Sequence, residues 1–109
     1  HGTGTPAGDT AEAAALTEVL GPRAGGVPVT ATKSSTGHLL GAAGVVEAIL
    51  AVRTLTDGVL PPTLNLDDPE FADLDIVGPQ SRPQAVDSVL STSFGFGGHN
   101  AALLLERST

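Results

Sequence analysis

The first helical pattern of apolar positions lies near the start of the chain. Residues 10–20, TAEAAALTEVL, carry apolar side chains at helical spacing, and the segment GPRAGG that follows favours a helix end. Asp9 or Thr10 is placed to cap the first turn. One face of the predicted helix is formed by Ala13, Leu16 and Leu20.

The second helical pattern runs from about Gly37 to Leu55 and is apolar on almost every side, which is typical of a buried, central helix. Glu47 interrupts it. Because burying an unpaired carboxylate is costly, the pattern predicts a cationic partner, and Lys33 is one of few candidates. Alternatively, Glu47 and Arg53 mark a narrow exposed face of the helix. Close approach of another backbone is favoured by a stripe of Gly37, Gly41 and Gly44.

Strand patterns are short and lie mostly in the second half of the chain. Residues 27–32, VPVTAT, predict a short strand, and 74–77, LDIV, a second one. Residues 57–83 otherwise read as loop. The segments 89–94 and 101–106 predict two strands joined through a glycine-rich turn. Helices and strands thus alternate, which indicates an α/β fold.

Charge excludes one class of partner. The 12 acidic and five basic residues give a net charge of −7, and the basic residues are scattered. Since phosphate backbones require a positive patch, nucleic acid is not expected as a partner. The absence of cysteine removes disulfides, thiolate metal sites and a cysteine nucleophile from these 109 residues.

Membrane insertion is not expected either. The most apolar stretch, 39–52, contains Glu47 and is shorter than the roughly 20 residues that span a bilayer. No signal peptide is recognised at the start, so we expect a cytoplasmic protein.

Two glycine-rich segments and the histidines are the candidates for chemistry. HGTGTPAG and GFGGHN do not match a nucleotide-binding loop, but such turns can aim backbone amides at an oxyanion. His38 lies where a loop becomes a helix, which favours a neutral ring donating to a developing oxyanion. The alternative is a histidine that satisfies a local backbone group. A metal site from the three histidines lacks close ligand spacing.

Three motifs occur together in one order: HGTGTPAGD (1–9), TKSSTGHLLGAAG (32–44) and SFGFGGHN (93–100). With GVLPPTLNLDDP (58–69), they make the chain resemble the C-terminal part of the β-ketoacyl-[acyl-carrier-protein] synthases, in particular the type II, synthase II-like enzymes. The resemblance implies the C-terminal part of a thiolase-like layered αβαβα fold. It also implies that 1–109 is a partial C-terminal ketosynthase domain, without the N-terminal half that carries the nucleophilic cysteine.

The resemblance also implies roles for individual residues. His1 and His38 match the two histidines of the family's Cys-His-His site, which bind the malonyl thioester carbonyl and stabilise its enolate. Lys33 matches the active-site lysine that orders the network around the second histidine, and Glu47 matches its buried partner.

The motifs carry four further candidate residues. Asp9 matches an acidic residue near the lysine of that site. Thr3 and Thr5 match positions that line the phosphopantetheine tunnel. Phe94 matches a gating phenylalanine on a glycine-hinged loop.

The implied activity is decarboxylative Claisen condensation of malonyl-carrier protein with an acyl-enzyme thioester, in fatty-acid or polyketide biosynthesis. No metal or other cofactor is implied, because the substrates are carried on the phosphopantetheine of acyl carrier protein. The implied partners are this carrier, the N-terminal ketosynthase half and, for the parent enzyme, a second copy in a homodimer.

The isolated chain is expected to be inactive, because the acyl-enzyme step needs the missing nucleophile. It is also expected to self-associate through exposed strand edges and apolar faces. Two alternatives stay open, a non-catalytic partner subunit resembling a chain-length factor and a structural module.

Overall fold

Two long helices and one antiparallel hairpin form the frame of the fold in the computed structural model, which describes residues 1–109. Helix α1 spans Pro6–Leu20 and helix α3 spans Ala43–Asp57. A single helical turn, α2, covers Lys33–Thr36. The hairpin consists of β5, Ser88–Gly95, and β6, His99–Glu106. The predicted α/β class and the two C-terminal strands are confirmed.

Two small sheets lie beside this frame. Strand β1, Pro28–Val29, pairs in parallel with β3, Asp75–Ile76, so the LDIV strand is confirmed and the 27–32 strand is shorter than predicted. Strand β2, Val59–Leu60, pairs antiparallel with β4, Arg82–Pro83, within a segment predicted to be loop. This pair was missed because a two-residue strand leaves no alternation to recognise.

One ion pair connects the two small sheets. Both terminal nitrogens of Arg82 on β4 donate to the Asp75 carboxylate on β3, each at 2.8 Å. The hydrogen bonds from Arg82 hold the pKa of Asp75 below its usual value. The pair therefore fixes β4 against β3, the strand that pairs with β1.

Helix α1 begins four residues before the predicted start. Thr5 is the N-cap, its side-chain oxygen accepting from the Gly8 amide at 3.3 Å, and Pro6 follows at the first helical position. Asp9 lies within the first turn, so the prediction that Asp9 or Thr10 caps the helix is wrong. Proline needs no hydrogen bond at this position and allows the earlier start.

The second predicted helix is interrupted. After the single turn of α2, Gly37 takes φ 73°, a 3₁₀ turn covers Leu40–Ala42, and only then does α3 begin. Leu40 itself has φ 52°, outside the range of a right-handed helix, so a continuous α-helix from Gly37 cannot pass through it. The predicted start at Gly37 is therefore wrong by six residues, because apolar spacing does not report backbone handedness.

Helix α3 packs against β5 and β6 with one face only. Its buried residues are Ala43, Ala51, Thr54 and Leu55. Val45, Ile49 and Val52 are exposed by 65%, 57% and 46%. The prediction of an all-round buried helix is therefore wrong for these 109 residues, since no element of the chain covers the second face. No helix has the length and apolar content that a bilayer crossing requires.

Candidate active site

Lys33 is the centre of the site. It is one of ten buried residues, and its ammonium group makes three contacts. The Nζ donates to His1 Nδ1 at 3.2 Å, to the His1 carbonyl at 2.7 Å and to the Glu47 carboxylate. Three donors thus meet three acceptors, which fully satisfies the buried cation.

The Lys33–Glu47 ion pair confirms the contact expected from burial. The side chains are 4% and 12% exposed, so Glu47 does not lie on an exposed face. Arg53, the other residue of that alternative, is 68% exposed and pairs with Asp57 one turn later. The ion pair joins α2 to α3 and fixes the position of Lys33 beneath His1.

The contact with Lys33 decides which nitrogen of His1 carries its proton. A lysine ammonium has no acceptor, so Nδ1 of His1 must be the acceptor. The proton of the neutral ring then resides on Nε2, which is free to donate.

His38 also carries its ring proton on Nε2, because a backbone amide donates to its Nδ1. Its Nδ1 accepts from the Leu40 amide at 3.2 Å, so the ring satisfies a backbone group two residues away, as the alternative interpretation of His38 predicted. Its ring and that of His1 are perpendicular, with centroids 5.3 Å apart. Two neighbouring imidazoles therefore both keep Nε2–H available, an arrangement that can stabilise a developing oxyanion.

Phe94 forms the third side of this cluster. Its ring lies 5.7 Å from that of His1 at an interplanar angle of 70°, an edge-to-face contact. It stands on β5, immediately before the glycine-rich turn that contains Gly97 and Gly98 at φ 77° and 80°. Strand β5 therefore places an apolar ring beside the first histidine.

Of the other three predicted residues, Thr3 and Thr5 lie on the loop that leads into α1, and Asp9 lies in the first turn of that helix. Thr3 and Thr5 have their hydroxyl oxygens 3.2 Å apart. Asp9 accepts from the Gly4 amide at 3.3 Å. Asp9 makes no ion pair with Lys33, so it shapes the loop beside the cluster and does not enter it.

Sequence reasoning missed Glu12 and Thr92. Glu12, on α1, accepts from the Gly2 amide at 2.8 Å, from the Thr92 hydroxyl at 3.0 Å and from the His1 amino group at 2.6 Å. Its side chain is 15% exposed. The carboxylate thus ties the His1 loop to β5. The only signal in the sequence was an acidic residue among alanines on a helix.

In the isolated 109-residue chain, burial by itself would raise the pKa of Glu12, but the hydrogen bonds from the amino group of His1 and the Gly2 amide outweigh it. The charge of that amino group and the Thr92 hydroxyl add to this effect, and the pKa of Glu12 lies below its ordinary value of 4.5. A carboxyl group whose pKa is lower in the folded state than in the unfolded state stabilises the fold. This stabilisation is fully present at pH values above the ordinary pKa and is lost as the pH falls through the pKa of the folded state.

The Glu12→Gln variant is therefore expected to lose about 1–2 kcal/mol of unfolding free energy at pH 7, because hydrogen bonds to a charged group are lost. The loss should shrink as the pH falls below 4.5. Urea denaturation of the isolated 109-residue chain between pH 3 and 7 measures it, with Glu18→Gln on the exposed surface of α1 as the control. Equal losses at both ends of this range would contradict the assignment.

No group of three or more histidine, aspartate or glutamate side chains is arranged to hold a metal ion. The three histidines do not form the metal site considered from the sequence. His1 and His38 are neighbours, whereas His99 is the first residue of β6.

Comparison with known proteins gives consistent matches. The family model described as beta-ketoacyl synthase, C-terminal domain, matches residues 1–67. The 3-oxoacyl-[acyl-carrier-protein] synthase 2 of Coxiella burnetii is 48% identical over 98% of this chain and 26% of that protein. The synthase 2 of Vibrio harveyi is 50% identical over the same shares. That of Mycobacterium tuberculosis is 50% identical over 98% of this chain and 25% of its own length.

A solved structure matches the whole fold. It is a type II polyketide synthase ketosynthase in complex with its acyl-carrier protein (AntDE:AntF), bound to the hexaketide. Its TM-score is 0.94 at 31% identity, over 100% of this chain and 27% of that one. The chain therefore spans about a quarter of the length of the proteins that it matches.

Proposed function

Because the chain belongs to the β-ketoacyl synthase family, as its C-terminal domain, we propose that it supplies the histidine-bearing part of a condensing enzyme. The reaction is elongation of an acyl chain by decarboxylative Claisen condensation, as in a 3-oxoacyl-[acyl-carrier-protein] synthase. The observation that carries the proposal is the Lys33 cluster, which leaves Nε2–H available on both His1 and His38.

In this mechanism both imidazoles donate to the carbonyl oxygen of the malonyl thioester. When the bond to the carboxylate carbon breaks, carbon dioxide leaves and its electron pair becomes an enolate. Two fixed donors stabilise the negative oxygen without reorganisation, which lowers the barrier. The enolate carbon then attacks the acyl thioester, and the sulfur of the nucleophilic cysteine leaves as a thiolate.

The acyl-enzyme step lies outside this chain, which has no cysteine. We therefore assign the nucleophile to an N-terminal part of a longer protein and treat 1–109 as a partial ketosynthase domain. The chain alone should form no condensation product.

The exposed face of α3 supports an N-terminal partner. An open groove of about 570 Å³ runs along it, lined by Gly41, Gly44, Val45, Ala48, Ile49, Val52, Arg53 and Leu103. The small residues admit a close backbone approach, and the rest of the lining is mostly apolar. We propose that the remaining three quarters of the synthase cover this groove, since a surface of this kind is otherwise unfavourable in water.

The Ile49→Asp variant tests this cover. In the complete protein the introduced carboxylate would be buried without a partner, so we expect a loss of about 3 kcal/mol or more of unfolding free energy. In the isolated chain, where Ile49 is 57% exposed, the loss should stay under about 0.5 kcal/mol. Ala15→Asp on the exposed surface of α1 is the control for added charge. Equal effects in both contexts would contradict the proposed cover.

Substrates would arrive on the phosphopantetheine of acyl carrier protein, with no other cofactor. Thr3 and Thr5 lie on the loop beside the cluster, where they would contact this arm. The matched ketosynthase is in complex with its own acyl-carrier protein, which supports a carrier of this kind as the partner. We further propose a homodimer located in the cytoplasm.

The test is the reaction of the complete protein that contains this chain. Malonyl-carrier and acyl-carrier thioesters are supplied, and the 3-oxoacyl-carrier product is followed by mass spectrometry. Formation of the elongated product supports the proposal. A folded complete protein that forms none would overturn it and favour the partner-subunit function, which the retention of Lys33 and both histidines argues against.

A further inference from the structure

Leu40 has an unfavourable backbone conformation next to a site histidine. Its φ is 52°, in the left-handed region that disfavours residues with a Cβ atom. Its side chain is 68% exposed, so packing within the chain does not compensate for this conformation. Such strain persists only where surrounding structure imposes it, and it concentrates at functional sites.

Two glycines, which adopt positive φ angles without strain, lie near Leu40 in the sequence. Gly37, three residues earlier, has a positive φ of 73°. Gly41 follows Leu40 directly but is not among the residues with positive φ. The left-handed turn therefore lies at Leu40, the residue whose amide contacts His38, although a glycine stands next to it.

The backbone geometry explains why the turn must be there. The Leu40 amide donates to Nδ1 of His38 at 3.2 Å, while the chain beyond it closes a 3₁₀ turn in which the Ala42 amide donates to the Leu39 carbonyl at 3.1 Å. The φ angle of Leu40 sets the direction in which the chain leaves that amide. A negative φ would send the chain away from the start of α3 or turn the amide away from His38.

We propose that Leu40 is a positioning residue. Its left-handed backbone, and not its side chain, holds the Leu40 amide on Nδ1 of His38 and thereby keeps the proton of that ring on Nε2. The catalytic consequence rests on the proposed function, because Nε2–H is the group that would donate to the malonyl carbonyl. The effect on the ring itself does not depend on that function.

Four variants distinguish a role of the Leu40 backbone from a role of the Leu40 side chain. Leu40→Gly and Leu40→Asn accept the left-handed conformation, whereas Leu40→Val, closest to leucine in chemistry, is β-branched and resists it. Leu39→Val is the matched control, since the neighbouring leucine has φ −83°. A role of the side chain would leave Leu40→Val nearest to wild type; a role of the backbone predicts the reverse order.

The readouts are the tautomer of His38 and the exchange of the Leu40 amide in the complete protein that contains this chain. The tautomer is read from ring ¹⁵N shifts after histidine-selective labelling, with His38→Gln to assign the signals. We expect Nε2–H in wild type, Leu39→Val, Leu40→Gly and Leu40→Asn. In Leu40→Val we expect mixed tautomers and amide exchange about tenfold faster, as loss of one hydrogen bond implies.

The outcomes are decisive even if Leu40→Val does not fold. Folded Leu40→Gly and Leu40→Asn variants that lose the Nε2–H form would overturn the proposal. So would a folded Leu40→Val variant that keeps it. In decarboxylation of malonyl-carrier, Leu40→Val should lower kcat at nearly constant KM, with Leu40→Gly much closer to wild type. If wild type shows no decarboxylation, the proposed function fails, while the ring measurements still decide the role of Leu40.

Discussion

Replacing His38 with alanine is expected to lower the decarboxylation rate of malonyl-carrier in the complete enzyme by about 10²–10³-fold, the usual cost of losing one oxyanion donor. The donor is Nε2–H, because Nδ1 already accepts from the Leu40 amide. The effect should fall on kcat, since the charge on the carbonyl oxygen develops only in the transition state.

His1→Ala should have an effect of similar size, because its Nδ1 is occupied by Lys33 in the same manner. His99→Ala is the matched control, a histidine at the first position of β6 with no ring contact to His1 or His38. Initial rates of carbon dioxide release measure all three variants. A His38→Ala enzyme within about twofold of wild type, or His99→Ala as slow as His38→Ala, would refute this use of the two rings.

The second large effect concerns stability. Lys33→Ala is expected to lower the unfolding free energy by about 3–5 kcal/mol, because it leaves the Glu47 carboxylate buried without its cation. The side chains of the pair are 4% and 12% exposed, so water cannot readily replace the lost partner. Guanidinium denaturation of the complete protein measures the change, with Arg23→Met as an exposed, unpaired control.

A double variant separates the two functions of this ion pair. Lys33→Met with Glu47→Leu fills the same space without charge and should recover most of the lost stability. It should not recover decarboxylation, because Nδ1 of His1 has lost the donor that fixes its tautomer. Recovery of both stability and activity would show that Lys33 only supports the fold.

The parts of the site that the sequence predicted are those governed by burial cost and by motif. A buried carboxylate in an apolar helix requires a cation, so the contact between Glu47 and Lys33 was one of the two interpretations that the pattern allowed, beside an exposed face. The hairpin of β5 and β6 followed from two apolar runs around a glycine-rich turn. These features depend on nearby sequence or on a strong energetic constraint.

Other parts depend on tertiary contacts that leave little trace in the pattern. Glu12 contacts Thr92 across 80 positions, which no local spacing indicates. The left-handed turn at Leu40 is invisible because leucine is not a turn signal. The one-sided burial of α3 was missed for another reason. Its apolar residues lie on both faces of the helix, but these 109 residues cover only one of those faces.

The most direct measurement is carbon dioxide release by a chimeric synthase. This chain replaces the corresponding C-terminal quarter of the Vibrio harveyi synthase 2, to which it is 50% identical, and the chimera is supplied with malonyl-carrier. We predict a rate within about tenfold of the parent synthase, a barrier change of about 1.4 kcal/mol, and its loss in the His38→Ala chimera. A folded chimera that releases no more carbon dioxide than buffer would contradict the assignment of His1, Lys33 and His38 to enolate formation.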